Sequence, residues 1–169
     1  MDYPDKTPAN PKPRLRILIV EDDLVAVEIL TSILRSTEHT AVAVGSAEDA
    51  IQKLNSDKDF DVVLLDYHLP GMNCKEFLEA IRNSENQKNN PNLWVIAHTA
   101  EQRADQIETL LAAGANDYLP KPIFPHMVVL KLLTAQYNTA RYKTLKRRLT
   151  FLESWRASIL KETQKDQEA

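Results

Sequence analysis

One cysteine, Cys74, in 169 residues excludes an internal disulfide and fits a reducing compartment. Three glycines are too few for glycine-rich nucleotide loops or for a turn-dense all-β fold. Apolar runs are short, such as Ile17 to Val20 and Val62 to Leu65. None approaches the roughly 20 residues needed to span a bilayer. No basic leader precedes an apolar segment, so a signal peptide is not expected and the cytoplasm is the expected location. Proline is not scarce but is concentrated, with Pro4, Pro8, Pro11 and Pro13 in the first 14 residues, which disfavours helix and sheet there. With 43% apolar and 27% charged residues, the remainder has an ordinary globular balance.

Net charge is −3, an average over three unequal parts. Residues 1–14 carry +1, residues 15–137 carry −8 and residues 138–169 carry +4. Three segments are therefore expected: a disordered proline-rich leader (1–14), an acidic domain (15–137) and a basic amphipathic helical extension (138–169).

Within the acidic segment, apolar strands alternate with amphipathic helices. Strands are expected at Leu15–Val20, His39–Val44, Asp61–Asp66, Leu93–His98 and Asp117–Leu119. Between them, helix faces are read from Leu24, Val27, Leu30 and Leu34; from Ala47, Ala50, Ile51 and Leu54; from Phe77, Leu78 and Ile81; and from Ala104, Ile107 and Leu111. Ser46 is placed to cap the second helix, and Gly114 to end the fourth. A fifth helix starts near Phe124, and no Gly or Pro interrupts residues 126–169, so it is expected to run on as one long helix. Five βα units imply an α/β fold: a parallel sheet covered by helices on both faces, with its working crevice beyond the carboxyl ends of the strands.

The reactive residues sit at those ends. Glu21 and Asp22 follow the first strand, Asp66 ends the third, Thr99 follows the fourth, and Lys121 and Pro122 follow the fifth. Three converging carboxylates repel unless a cation joins them, and oxygen ligands of this charge suit Mg²⁺. A carboxylate nucleophile, a metal, a lysine and a hydroxyl form a site for acyl-phosphate formation on Asp66. Each residue also has a plainer reading. Asp22 or Asp23 caps a helix, with Asp23 favoured for that role, and Cys74 is a small buried residue. His68 and His98 stay outside metal chemistry because no second nitrogen or sulfur ligand has matching spacing.

The stretches Ile17–Asp23 (ILIVEDD), Val62–Gly71 (VVLLDYHLPG), Val95–Ala100 (VIAHTA) and Gly114–Pro122 (GANDYLPKP) together resemble receiver domains of two-component response regulators, the family of the single-domain chemotaxis regulators. The resemblance implies the flavodoxin-like (βα)5 three-layer sandwich with strand order 2-1-3-4-5. It implies Asp66 as phosphoacceptor, Glu21, Asp22, Asp66 and the backbone carbonyl of His68 around Mg²⁺, and Thr99 and Lys121 as the pair that contacts the phosphoryl group. Ala100 matches the small position beside that group. Tyr118 matches the switch aromatic, although a static core aromatic is the plainer reading. The Lys121–Pro122 bond is expected to be cis. The pattern departs at Asn73–Cys74, where Asp-Gly is frequent.

A histidine kinase or phosphotransfer protein is the implied partner, and the chain is expected to be a switch rather than a multi-turnover enzyme. An Asp-nucleophile phosphatase is the remote alternative, because the second carboxylate such enzymes need is replaced by His68. The extension is too short for the usual output domains. Its Tyr142, Leu145, Leu149, Leu152, Arg156 and Ile159 follow heptad steps. Pairing with itself or a partner, or folding back, is favoured over a linker to a further domain of a larger regulator. Nucleic-acid binding through Arg141, Lys143, Lys146, Arg147 and Arg148 ranks last, and no membrane contact is expected. Homodimerisation through helix four and helix five, where Ile107 and Met127 are apolar, is a further expectation.

Overall fold

The computed structural model describes residues 14–83, 90–101 and 103–167, with side chains to position 157. Residues 1–13 of the expected leader, most of the polar loop after Asn83 and the Ile159 side chain lie outside the described residues. The elements are β1 (Arg16–Val20), α1 (Leu24–Ser36), β2 (Thr40–Val44), α2 (Ala47–Ser56), β3 (Val62–Asp66), α3 (Cys74–Asn83), β4 (Trp94–Thr99), α4 (Ala104–Ala112), β5 (Asp117–Pro120) and α5 (Pro125–Gln167). The strands form one parallel sheet in the order β2-β1-β3-β4-β5, as the resemblance implies.

Every residue of β3 is buried, which is what four consecutive apolar side chains require when helices cover both faces of a strand. Alternation along the strands then sorts the core into two layers. Leu18, Val20, Val63, Leu65, Val95 and Ala97 face α2, α3 and α4, where they meet Ala50, Phe77, Leu78 and Leu110. Ile17, Ile19, Val62, Leu64 and Ile96 face α1 and α5, where they meet Leu30, Leu34, Val128 and Leu132. Burying each such side chain is worth about 1.5–3 kcal/mol.

Local signals set the helix starts. Asp23 caps α1 by accepting the Val25 N–H at 2.8 Å, and Ser46 caps α2 by accepting the Asp49 N–H at 3.1 Å. At the atypical Asn73–Cys74 junction a reciprocal box forms: Asn73 Oδ1 accepts the Glu76 N–H, and Glu76 Oε2 accepts the Asn73 N–H, each at 3.0 Å. Gly114 follows the end of α4 with φ +115°.

Two helix faces differ from their sequence spacing. Leu24, the first residue of α1, is 81% exposed instead of entering the core. In α4 the buried residue is Leu110, while Leu111 is exposed and Ile107 half-buried. Leu110 lies in the core layer that also holds Ala115, with Ala113 packed against it.

The last helix is a single 43-residue element, as expected from its lack of breakers. It passes through position 138 without interruption. Burial along it ends at Ala140, after which every side chain to position 157 is exposed. Lys143 ties the emerging helix to Asp61, whose other oxygen accepts the Arg16 N–H at 3.0 Å. No described helix is long and apolar enough to cross a membrane.

Candidate functional site

Parallel register assembles the site. Val20 pairs with Leu65 and Asp66 with His98, so Glu21, Asp66 and His98 occupy one row at the carboxyl rim of β1, β3 and β4. Alternation turns that row toward the α1/α5 side, and Glu21, Asp66 and His98 are each only 3% exposed. A cleft of about 760 Å³ opens above them, with Asp22, Val25, Ile29 and Pro122 among its walls.

Lys121 reaches this row because β5 ends at Pro120 and the Lys121 N–H donates to the Thr99 carbonyl at 2.7 Å. The Lys121–Pro122 bond is cis, as expected. Lys121 Nζ lies 2.7 Å from Asp66 Oδ1. The contact is an ion pair between the ammonium and the buried carboxylate. Burial pushes the Asp66 carboxyl up, but the Lys121 ammonium and the His68 backbone N–H outweigh it and hold the group below the usual carboxylate range. Asp66 is therefore ionised at neutral pH.

Thr99 is fully buried, and its hydroxyl oxygen accepts the Glu101 N–H at 2.9 Å, which leaves its proton free to be donated. Ala100 beside it is exposed and offers no side-chain bulk beyond Cβ. Tyr118 is half-buried, with Lys131 Nζ 5.1 Å above its ring. His68 has an exposed side chain. Asp22 stands exposed at the cleft wall, outside the tight group of buried ligand atoms.

That tight group consists of Glu21, Asp66 and His98, whose ligand atoms all lie within 4.8 Å of one another. His98 Nδ1 is 3.5 Å from Glu21 Oε2. The expected pocket of oxygen ligands thus includes a buried imidazole that the sequence reading set aside. The readable signal was strand alternation: a histidine one residue before Thr99 points with Asp66, not with Thr99. A divalent cation fits this chemistry, since buried Glu21 Oε2 has no hydrogen-bond donor among the described residues. Glu21, Asp66 and, from the cleft wall, Asp22 are the carboxylates that could hold it.

Cys74 is buried near Asp66, and burial, with a smaller push from the Asp66 charge, raises its thiol to about 12. It is an inert packing residue, in line with the sequence expectation.

Known proteins resemble this chain in sequence and fold. The chain is 34% identical over 108 residues to the sensor protein GacS of Pseudomonas syringae pv. syringae, a match covering 64% of this chain and 12% of that one. The chain therefore spans about an eighth of the length of that relative. It is 29% identical to the two-component response regulator ORR3 of Oryza sativa subsp. indica, covering 70% of this chain and 88% of that one. Among solved structures it resembles a chain of the co-crystal structure of the Saccharomyces cerevisiae histidine phosphotransfer protein Ypd1 with the receiver domain of the response regulator Ssk1. The TM-score is 0.65 at 26% identity, over 70% of this chain and 86% of that one. The response regulator receiver domain family matches residues 17–133. A parallel 2-1-3-4-5 sheet, an ionised aspartate at the end of β3, a lysine on that aspartate and a family match across the whole sheet lead to one conclusion: the chain belongs to the receiver domain family of two-component signalling.

Proposed function

We propose that the chain is a phosphorylation-activated switch that takes a phosphoryl group onto Asp66 from a phosphohistidine of a histidine kinase or phosphotransfer protein. The observation that carries this reading is Asp66 itself: buried, ionised and held by Lys121 at the floor of an open cleft. An Asp66 carboxylate oxygen attacks phosphorus in line, the P–N bond breaks, and the departing imidazole keeps the electron pair and takes a proton from solvent. Glu21, Asp22, Asp66 and the His68 carbonyl would hold a Mg²⁺ ion, which would supply neutralisation of charge on the phosphoryl oxygens. Lys121 pairs with one new oxygen and the Thr99 hydroxyl donates to another.

The modified Asp66 carries up to about two negative charges at neutral pH. Thr99 then releases the Glu101 N–H, and the β4–α4 segment and Tyr118 rearrange around it. Nothing in this sequence of steps needs a multi-turnover enzyme, and the only reactions expected are self-phosphorylation and self-dephosphorylation.

The exposed apolar side chains of Leu24, Val25 and Ile29 beside the cleft support a protein as donor. The Ypd1–Ssk1 co-crystal structure holds a phosphotransfer protein with a receiver domain, and a partner of that kind suits this chain. On the output side, Leu145, Leu149, Leu152 and Trp155 are all more than half exposed, which supports association through the free part of α5. Half-buried Ile107 and Met127 support a dimer through α4 and α5 less well than the free helix does.

The test is phosphotransfer from a small-molecule phosphodonor with Mg²⁺, read by mass. Wild type is expected to gain one acid-labile phosphoryl group and Asp66→Asn none. Normal labelling of Asp66→Asn refutes the assignment. Sustained turnover of a phosphomonoester favours the phosphatase alternative.

A further inference from the structure

Glu21 Oε2 and both nitrogens of His98 are buried with no hydrogen-bond partner among the described residues. Two unsatisfied groups of complementary chemistry, 3.5 Å apart, cost folding free energy unless something joins them. Their positions are set by the sheet and not by a loop. Asp66 and His98 are register partners on adjacent strands, and Glu21 follows the last residue of β1 in the same row.

The distances match one ion. Around an octahedral divalent cation with bonds of about 2.1 Å, neighbouring donor atoms sit about 3.0 Å apart and opposed ones about 4.2 Å apart. The imidazole–carboxylate separation of 3.5 Å and the 4.8 Å limit on the whole group need only small side-chain adjustments to reach those values. Donor type then decides which ion. Carboxylate and carbonyl oxygens suit Mg²⁺, while imidazole nitrogen favours first-row transition ions.

We infer that His98 Nδ1 is a direct ligand in this pocket, making it a mixed carboxylate–imidazole site that prefers a divalent first-row transition ion to Mg²⁺. The inference rests on the proposed cation site at Glu21 and Asp66 and adds to it a ligand and an ion preference. With Nδ1 on the metal, Nε2 carries the ring proton, the one tautomer that ligation allows. Set in the β4 strand, His98 is positioned by backbone pairing on both sides and needs no loop rearrangement to reach the ion.

The experiment uses the full chain with Mn²⁺ as probe. Loss of the free-ion electron paramagnetic resonance signal measures binding, and pulsed measurements detect ¹⁴N coupling to the bound ion. Wild type is expected to bind Mn²⁺ with imidazole coupling. In His98→Leu that coupling is expected to vanish, and the Mn²⁺-over-Mg²⁺ affinity ratio to fall by at least about tenfold. Bound Mn²⁺ without imidazole coupling in wild type overturns the inference while leaving the cation site standing, and it does so even if His98→Leu fails to fold. Coupling that survives His98→Leu, or an unchanged ratio, also overturns it. Failure of wild type to bind Mn²⁺ or Mg²⁺ removes the cation site as well.

Discussion

Replacing Gly114 with alanine tests how the turn before β5 is built. Gly114 has φ +115°, a region that side chains rarely occupy. Strain of this kind costs about 1–3 kcal/mol. Space is also lacking, since a Cβ at Gly114 meets Arg82 Cγ at 2.7 Å. Arg82 cannot move away freely. Its Nε and Nη2 donate to the Gly114 carbonyl at 3.0 and 2.9 Å, and Nη2 also donates to Asn116 Oδ1 at 2.8 Å. That same Asn116 oxygen accepts the Val95 N–H, so the turn is tied to the start of β4.

Displacing Arg82 forfeits roughly 1 kcal/mol of hydrogen bonding. Gly114→Ala is therefore expected to destabilise the domain by about 2–4 kcal/mol. In urea, with a slope of about 2 kcal/mol per molar, the midpoint falls by about 1–2 M. The assay is far-ultraviolet circular dichroism through a urea titration, run on the two single variants and on the double variant with Arg82→Ala. Removing Arg82 abolishes the clash but not the dihedral strain, so about 1 kcal/mol of coupling is expected between the two changes. A Gly114→Ala cost under about 0.5 kcal/mol, well below the strain alone, refutes the account. Strict additivity refutes its steric half.

Three further outcomes are expected. Burial lowers the His39 pKa, with the Asp61 charge opposing it in part, and His39 Nδ1 accepts the Leu15 N–H. The folded state thus favours the neutral ring, so this contribution is complete above the ordinary value of 6.5 and is lost as pH falls through the lower folded value. Between pH 7.5 and 5.5 the urea midpoint of wild type should drop further than that of His39→Gln, and equal drops count against it. Cys74, raised to about 12, should resist a thiol reagent at pH 8 in the folded protein and react at once in denaturant; prompt labelling of native protein contradicts the burial. If α5 pairs between copies, Leu149→Glu should lower the mass seen by light scattering, and a dimer that survives it places the interface elsewhere.

Much of this was legible in the residues because the physics is local. Apolar runs of four ending in acids mark strands that finish at a crevice, and Asp23 and Ser46 sit where caps must. Strand order came from the family resemblance, since a run such as Val62–Leu65 does not say which neighbour it pairs with. The α4 face was misread because Leu110 and Leu111 are adjacent and equally apolar, so a single step decides which one packs. The place of His98 beside Glu21 and Asp66 is hidden for a related reason: spacing along the chain does not show a neighbour that register supplies from another strand.

The unbroken course of α5 gives the molecule a mechanical property. Its first turn begins four residues beyond Lys121, and Lys143 rests against Asp61 at the opposite end of the sheet. From that contact to Gln167 the helix projects about 36 Å. A rod held at one end and resting on a fulcrum magnifies angle into distance: a tilt of about 5° at Lys143 carries the tip about 3 Å. The arm from Pro125 to Lys143 is about 27 Å long, so a tilt of that size takes about 2.4 Å at the end nearest Lys121 and returns it about a third larger at the tip, enough there to make or break side-chain contacts.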